Sequence, residues 1–234
     1  DDFTYDESGR ITGYAEGVAS QQYLVDQYGQ TSFEFLPGDV KYKDLNGDGA
    51  ITYDQDRAYI GRGQRPQFNG SINLNASWKG LEFDILFIGA AVCDVSLTGT
   101  YYNHNEDNTI FTRPFKAGAN SPRYLVEQAW TPENPDAKYP RLSLNPPNTN
   151  NAYASSFWYR DGKYLRLKSV HLGYTLPKAW TGKLRIQKVK VYVEGNNLCT
   201  WSGLPEGIDP EWPGVTNGYY PQQRTVVGGL EISF

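Results

Sequence analysis

The chain has 234 residues, a formal net charge of −4 and many glycines (24) and tyrosines (18). The small negative charge provides no basic surface for nucleic acid, and this composition favours strands and turns over helices. The longest uncharged apolar run, residues 85–93, has about half the length that a membrane-spanning helix needs. The strands of a membrane barrel are shorter, so a run of this length is compatible with one of them.

The cysteines and the N-terminus indicate little about chemistry or compartment. Cys93 and Cys199 lie far apart, without a CxxC motif or a histidine nearby, which disfavours zinc binding and thioredoxin-like redox chemistry. The chain has no methionine, and its first residues, DDFTYDESGR, do not resemble a signal peptide. We therefore expect the chain to be a piece of a longer protein.

The first strand pattern begins at residue 67, so residues 1–66 are predicted to form a loop region. Within it, DLNGDGAITYDQD (44–56) resembles the calcium loops of EF-hands and dockerins, in which oxygen ligands alternate and a glycine permits a sharp turn. Gln55 occupies the last ligand position, which is usually acidic, so the neighbouring Asp56 is assigned in its place. The alternative is a metal-free turn held by side-chain to backbone hydrogen bonds. The predicted calcium ligands are Asp44, Asn46, Asp48, the carbonyl of Ala50, Thr52 and Asp56.

Five segments show the alternation of half-buried strands: 67–78, 81–93, 162–176, 186–199 and 223–234. In the first of them, QFNGSINLNASW, the apolar residues occupy one face and only Gln, Asn and Ser occupy the other. In the third, Leu165 and Leu167 are out of phase with Val170 and Leu172. This change of phase predicts a β-bulge near Ser169.

The connections between these strands alternate in length. Residues 79–80 and 177–183 are short, whereas residues 94–160 and 200–222 form long connections, and we expect further short strands or helices within 94–160. Outer-membrane barrels sort their connections in this way, with short periplasmic turns and long extracellular loops. We therefore predict that residues 67–234 belong to a transmembrane β-barrel and that residues 1–66 are extracellular.

The spacing of aromatic residues supports the same prediction. Phe68 and Trp78 share a face, as do Tyr164 and Tyr174, and each pair spans roughly 25 Å along the normal of a membrane if the strands are tilted. The apolar face is then expected to meet lipid and the polar face to meet water in a lumen. A soluble β-sandwich with the aromatics in its core is the alternative. Five strands cannot close a membrane barrel, which needs at least about eight, so we expect other chain segments to complete it.

Five motifs occur in an order that resembles one known family: PGDVKYKDLNGDG (37–49), AWTPENPDAKYPRL (129–142), YLRLKSVHLGYTLP (164–177), VYVEGNNLCTWSG (191–203) and GIDPE (207–211). With the terminal GGLEISF, they resemble the C-terminal part of SusC/RagA-like TonB-dependent outer-membrane transporters of the Bacteroidota. The resemblance implies an all-β fold, namely the C-terminal strands of a large antiparallel transmembrane β-barrel with about 22 strands in the intact parent.

The resemblance also implies a function and a set of partners. Such transporters import oligosaccharides or peptides, and the implied partners are a SusD-like surface lipoprotein, the remainder of the transporter chain with its plug, TonB through that plug, and outer-membrane lipid. At the end of the chain, Leu230, Ile232 and Phe234 resemble the signal by which the assembly machinery recognises barrel proteins. Phe234 is equally suited to the periplasmic aromatic girdle.

The sequence does not indicate catalysis. His104 and His171 are the only histidines, and no Ser-His-Asp arrangement, phosphate loop or HExxH motif is present. Asp209 and Glu211 in GIDPEW flank one proline on a loop, which gives no evidence of the spaced carboxylates of a glycosidase, so we expect them to structure the loop. We therefore predict that the protein is not an enzyme.

The loop 200–222 is the best candidate for contact with a substrate. Its aromatic residues are suited to stacking on sugar rings, or else to packing against neighbouring loops or the lipoprotein lid. They are Trp201, Trp212, Tyr219 and Tyr220. The rival function is a soluble calcium-dependent glycan-binding β-sandwich, which would share these features but would stay soluble without detergent.

Overall fold

The computed structural model describes residues 2–23, 36–52, 54–97, 121–142, 151, 153–182, 186–212 and 222–234. Within these residues the protein is all-β apart from two short helices, α1 (Arg123–Glu127) and α2 (Lys178–Thr181). The strands are β1 (Phe3–Tyr5), β2 (Ile11–Tyr14), β3 (Ser20–Tyr23), β4 (Ala50–Thr52), β5 (Phe68–Trp78), β6 (Leu81–Ala91), β7 (Asp94–Ser96), β8 (Tyr159–Asp161), β9 (Tyr164–Thr175), β10 (Lys188–Ser202) and β11 (Thr225–Ser233). Among the described residues, no helix has the length and apolar character needed to cross a membrane.

The chain divides into two compact units. The loop unit consists of Asp1–Ile60 and Leu97–Trp158, and the sheet unit consists of Gly61–Ser96 and Tyr159–Phe234. Each unit therefore combines two stretches that are distant in sequence.

The loop unit contains little regular structure and a small core. β1 and β2 form an antiparallel pair, whereas β3 and β4 pair in parallel. The apolar residues buried in this unit are Val40, Ile51, Leu97, Leu125, Ala129, Tyr139 and Trp158. The short elements expected within residues 94–160 are present as β7, α1 and β8, of which α1 lies in this unit.

The sheet unit is built on one five-stranded antiparallel sheet with the order β11-β10-β9-β6-β5. Each of its strands corresponds to a segment predicted from alternation, and the largest difference is at the end of β10, which continues to Ser202 instead of 199. Lys79 and Gly80 join β5 to β6, and both have positive φ (47° and 88°), as a type I′ hairpin turn requires. β7 and β8 pair with each other outside the main sheet, which lets β6 pair directly with β9.

A β-bulge in β9 reconciles its two hydrophobic phases, as predicted. Opposite β6, Leu86 pairs with Ser169 and the next residue, Phe87, pairs with Leu167, so Lys168 is the extra residue. A second irregularity lies in β10 between Asn196 and Cys199. These shifts keep the leucines before and after the bulge on one face of the sheet.

The sheet therefore has two faces of different chemistry. Its apolar face carries large hydrophobic side chains that remain exposed, both on the three inner strands, which pair on both sides, and on the edge strands β5 and β11. These exposed side chains are Phe68, Ile72, Leu74, Trp78, Leu81, Phe83, Leu165, Leu172, Tyr174, Val191, Val193, Trp201, Val226, Leu230 and Ile232. The opposite, polar face carries the asparagines and serines of β5 and most of the charged residues of β6, β9 and β10.

Candidate functional site

The polar face is charged at the end of the sheet where the short connections lie. The ammonium group of Lys190 on β10 donates a short hydrogen bond to Glu82 on β6, and the ring of His171 stacks on Tyr192 with centroids 5.4 Å apart. Further along this face, β5 presents a row of uncharged, exposed amides and hydroxyls: Asn69, Ser71, Asn73, Asn75 and Ser77. One face thus offers both charged and neutral hydrogen-bonding groups.

A buried cluster of charges, here called the clasp, joins the polar face to the loop after β10. Arg166 of β9 donates from Nε to Thr200 Oγ1 (2.9 Å) and from Nη2 to Asp209 Oδ1 (2.7 Å). Its Nη1 lies 2.5 Å from Glu211 Oε1, and Lys168 Nζ lies 3.4 Å from the same oxygen. The clasp therefore consists of two cations, two carboxylates and one hydroxyl.

The clasp defines the role of the GIDPE motif. Asp209 is buried, and its carboxylate also accepts a hydrogen bond from the backbone N–H of Glu211 (2.9 Å). Both carboxylates are thus occupied in fixing the loop to the sheet, which confirms that they structure the loop. Arg166 was not predicted as their partner, although an arginine in the polar phase of a strand was a usable signal.

The four aromatic candidates do not form one group. Trp201 lies in β10, paired with Leu165, on the apolar face, because the ladder with β9 continues to Ser202 and the loop begins later than predicted. Trp212 is exposed at the end of the described part of the loop, next to the clasp. Tyr219 and Tyr220 lie outside the described residues.

The calcium-type loop is folded around its first aspartate. Asp44 accepts hydrogen bonds from the backbone N–H groups of Gly47 (2.6 Å) and Gly49 (2.8 Å). Asn46 Oδ1 accepts from the N–H of Asp48 (3.0 Å), and Asp48 Oδ1 accepts from the N–H of Ala50 (2.9 Å). The backbone thus already has the curled form in which alternate side-chain oxygens lie on the inner side of a turn.

Asp56 closes this loop from its C-terminal end. Its carboxylate accepts hydrogen bonds from the N–H groups of Leu45 (2.8 Å) and Thr52 (2.6 Å), and these bonds, first that of Thr52, lower the pKa of Asp56 below its usual value. All the predicted ligands are oxygen donors, which fits a hard cation such as calcium. Within the described ranges, no group of three or more His, Cys, Asp or Glu side chains is placed to hold a metal ion. The carboxylates face backbone N–H groups in this arrangement.

A second buried carboxylate organises the loop unit. Asp39 accepts hydrogen bonds from Arg141 Nε (2.7 Å), Asn151 Nδ2 (2.9 Å) and the backbone N–H of Leu36 (2.9 Å). The backbone carbonyl of Asn151 in turn accepts a hydrogen bond from the Trp158 indole (2.5 Å). This cluster connects segments more than 100 residues apart, and it was not anticipated because its partners are not local in sequence.

The terminal residues lie at one edge of the sheet. Leu230 and Ile232 point to the apolar face of β11, opposite Val191 and Val189 of β10, and Phe234 is exposed just beyond the strand. The alternation predicted for this segment is therefore present.

Comparisons with known proteins show which proteins this chain is similar to. No family model matches the chain. The chain is 32% identical over 237 residues to TonB-dependent receptor P26 of Formosa agariphila, covering 93% of this chain and 22% of the relative. It is 31% identical over 211 residues to TonB-dependent receptor P3 of the same organism, covering 85% of this chain and 19% of the relative. The chain thus spans about a fifth of the length of the curated relatives it matches.

Solved structures show the same relationship. The RagAB peptide importer in its open-open state shares 26% identity with a TM-score of 0.56, covering 82% of this chain and 20% of that one. In the closed-closed state the TM-score is 0.58 with the same identity and coverage. The fold is therefore that of antiparallel strands from a TonB-dependent transporter barrel. The chain belongs to the SusC/RagA-like TonB-dependent receptors.

Proposed function

We propose that the chain is the C-terminal part of the barrel of a transporter that imports oligosaccharides or peptides across the outer membrane. The observation that carries this proposal is the apolar face, on which fifteen large hydrophobic side chains remain exposed across all five strands of the sheet. A soluble protein rarely exposes such a large apolar patch, whereas lipid is the natural environment for it. The apolar face meets the membrane, and the polar face lines the lumen.

The direction of the strands follows from their connections. The short connections Lys79–Gly80 and 176–187 lie at one end of the sheet, which is the periplasmic end by analogy with barrels in general. The clasp and the loop after β10 lie at the other, extracellular end. Trp201 at this end is suited to the outer aromatic girdle, and Trp212 is suited to contact with substrate or with a lid.

The proposed partners follow from the family. The neighbouring structure is a peptide importer made of RagA and RagB, which supports a SusD-like surface lipoprotein as partner and peptides as one substrate class. The remaining strands and the plug supply the closed barrel and the contact with TonB. Leu230 and Ile232 on β11, with Phe234 just beyond it, provide the assembly signal.

We infer that the loop 44–56 binds a structural calcium ion on the extracellular side. The spacing of its oxygens and the curled backbone around Asp44 support this proposal. Asp44, Asn46, Asp48, Ala50, Thr52 and Asp56 would hold the ion, which would crosslink the two ends of the loop. Its role is to rigidify the loop region and not to take part in transport chemistry.

The proposal is tested by mass spectrometry of the particle that contains this chain after extraction from membranes with detergent. We expect a polypeptide with plug and additional barrel strands, together with a lipoprotein of the SusD type. A species that contains this chain and stays monomeric in aqueous buffer without detergent would refute the barrel assignment, and it would favour the soluble glycan-binding module.

A further inference from the structure

We propose that Arg166 is a positioning residue that holds the loop segment 203–212 against the polar face through the clasp and thereby sets the place of Trp212. This inference rests on the proposed function for its consequence in transport, because only then does the polar face line a lumen. The clasp itself is a property of the fold and can be tested separately.

The geometry of Arg166 is suited to holding two elements at once. Its Nε is fixed to Thr200 on the neighbouring strand β10, which orients the guanidinium group along the sheet. The two remaining nitrogens then reach the loop, with Nη2 2.7 Å from Asp209 Oδ1 and Nη1 2.5 Å from Glu211 Oε1. A planar guanidinium group fits this task, because it donates hydrogen bonds from Nε and Nη2 while Nη1 forms an ion pair, whereas a lysine supplies only a single point charge.

Burial makes the loop depend on this one side chain. The side chain of Arg166 is 3% exposed and that of Asp209 is 7% exposed, so neither charge has water as a substitute partner. Removing one member of a buried ion pair leaves the other charge uncompensated, which is strongly unfavourable. Loss of Arg166 therefore favours a loop position in which the Asp209 carboxylate is hydrated.

The segment is also held by the pair of Lys168 with Glu211 and by contacts of its own residues. Within residues 203–212, all of which are described, Ile208 is the only buried apolar side chain. The backbone bonds from Ile208 N to Pro205 O (3.2 Å) and from Trp212 N to Asp209 O (3.1 Å) stay within the segment. These bonds shape the loop as a unit and tie the backbone of Trp212 to that of Asp209, so the position of residue 212 depends on where the clasp holds residue 209.

The consequence is a loop that is folded inward over the polar face instead of extending away from the sheet. In the transporter this position narrows the lumen on the side of β9 and β10 and presents an exposed indole there. Aromatic faces of this kind stack on sugar rings or on apolar peptide side chains. Arg166 thereby controls the geometry of a candidate contact surface without touching the substrate.

The test measures whether loss of Arg166 exposes the loop. Ile208→Cys is introduced into the complete transporter with its other cysteines replaced by serine, and the purified protein is treated with a polyethylene-glycol maleimide. Relative to this parent, Arg166→Gln is expected to raise the labelling rate at position 208 about tenfold or more, because the loop opens. Arg123→Gln is the matched control, since Arg123 forms an exposed pair with Glu127, and it should change the rate by less than about twofold.

A second readout separates positioning from general stability. In Arg166→Gln, the temperature at which the barrel loses its compact mobility in SDS gels should stay the same. If Arg166 had a merely structural role, its loss would lower this temperature and would not selectively raise the labelling at position 208. Unchanged labelling in Arg166→Gln, or rapid labelling already in the parent, would overturn the proposal. If Arg166→Gln does not assemble, Asp209→Asn, which removes the charge on the loop side of the ion pair, is judged by the same change in labelling rate. Labelling needs no membrane or substrate, so failure of the transporter assignment would be recognised independently.

Discussion

Asp56 and Asp44 close the calcium-type loop from its two ends by accepting backbone hydrogen bonds. The hydrogen bonds from Thr52 and Leu45 lower the pKa of Asp56 and hold its carboxylate at the C-terminal end of the loop. The sequence predicted these residues from spacing alone, because an Asx-rich turn is a local structure. Spacing did not decide the last ligand, and the contact of Asp56 with Leu45 gives a physical reason to prefer it.

Calcium is expected to protect this loop. In the complete protein, a protease should cleave within residues 44–56 more slowly with calcium than with a chelator, because the ion links both ends of the loop. Asp44→Asn should abolish this difference by weakening the first ligand. Asp54→Asn, which changes an adjacent carboxylate outside the proposed ligand set, should retain it. Equal digestion of the unmodified protein under both conditions would argue for a metal-free turn.

The packing between β10 and β11 involves a glycine, Gly229, that the alternation of apolar and polar residues does not explain. A Cβ atom at Gly229, on the polar face, would lie 2.2 Å from the ring of Tyr192, whereas one at Gly228, on the apolar face, would lie 4.0 Å from the nearest atom. Tyr192 itself stacks on His171. The aromatic ring thus covers the glycine and links three strands across the polar face.

Two adjacent glycine variants test this arrangement. Gly229→Ala is expected to destabilise the assembled barrel by about 1–3 kcal/mol, because the methyl group displaces Tyr192 from its stack. Gly228→Ala should be close to neutral, since its methyl group enters open space. The measurement is the midpoint temperature of the compact form in SDS gels. Equal midpoints for the two variants would show that Tyr192 moves aside at little cost.

Most of the strands and their antiparallel order could be predicted, but the separate pairing of β7 with β8 could not. Alternation and the phase change near Ser169 are local signals, and both are present in β9. That β6 pairs with β9 depends on β7 and β8 leaving the sheet, and residues 94–96 are too short for their periodicity to indicate this. The end of β10 was also placed too early, because the ladder with β9 continues across a second irregularity.

At the scale of the whole molecule, we expect an introduced arginine to have opposite effects on the two faces of the sheet. Leu74→Arg places a charge on the apolar face near the middle of β5 and is expected to cost about 2–4 kcal/mol in a membrane. Asn73→Arg places the same charge on the polar face and should be tolerated. The measurement is the amount of folded transporter in the outer membrane. If Asn73→Arg lowered this amount more than Leu74→Arg, the assignments of the two faces to lipid and to the lumen would have to be exchanged.

The strands, the chemistry of each face and the spacing of the calcium-type loop can be predicted from local sequence, because they are set by residues within a few positions of one another. The contacts between residues far apart in the chain become apparent only in the folded protein. Arg166 reaches Asp209 over 43 residues, and Asp39 reaches Arg141 over 102. Such pairs form because strand register and loop folding bring them together, and desolvation then requires each buried charge to have a partner. No local sequence pattern indicates which residue will be the partner of a given buried charge.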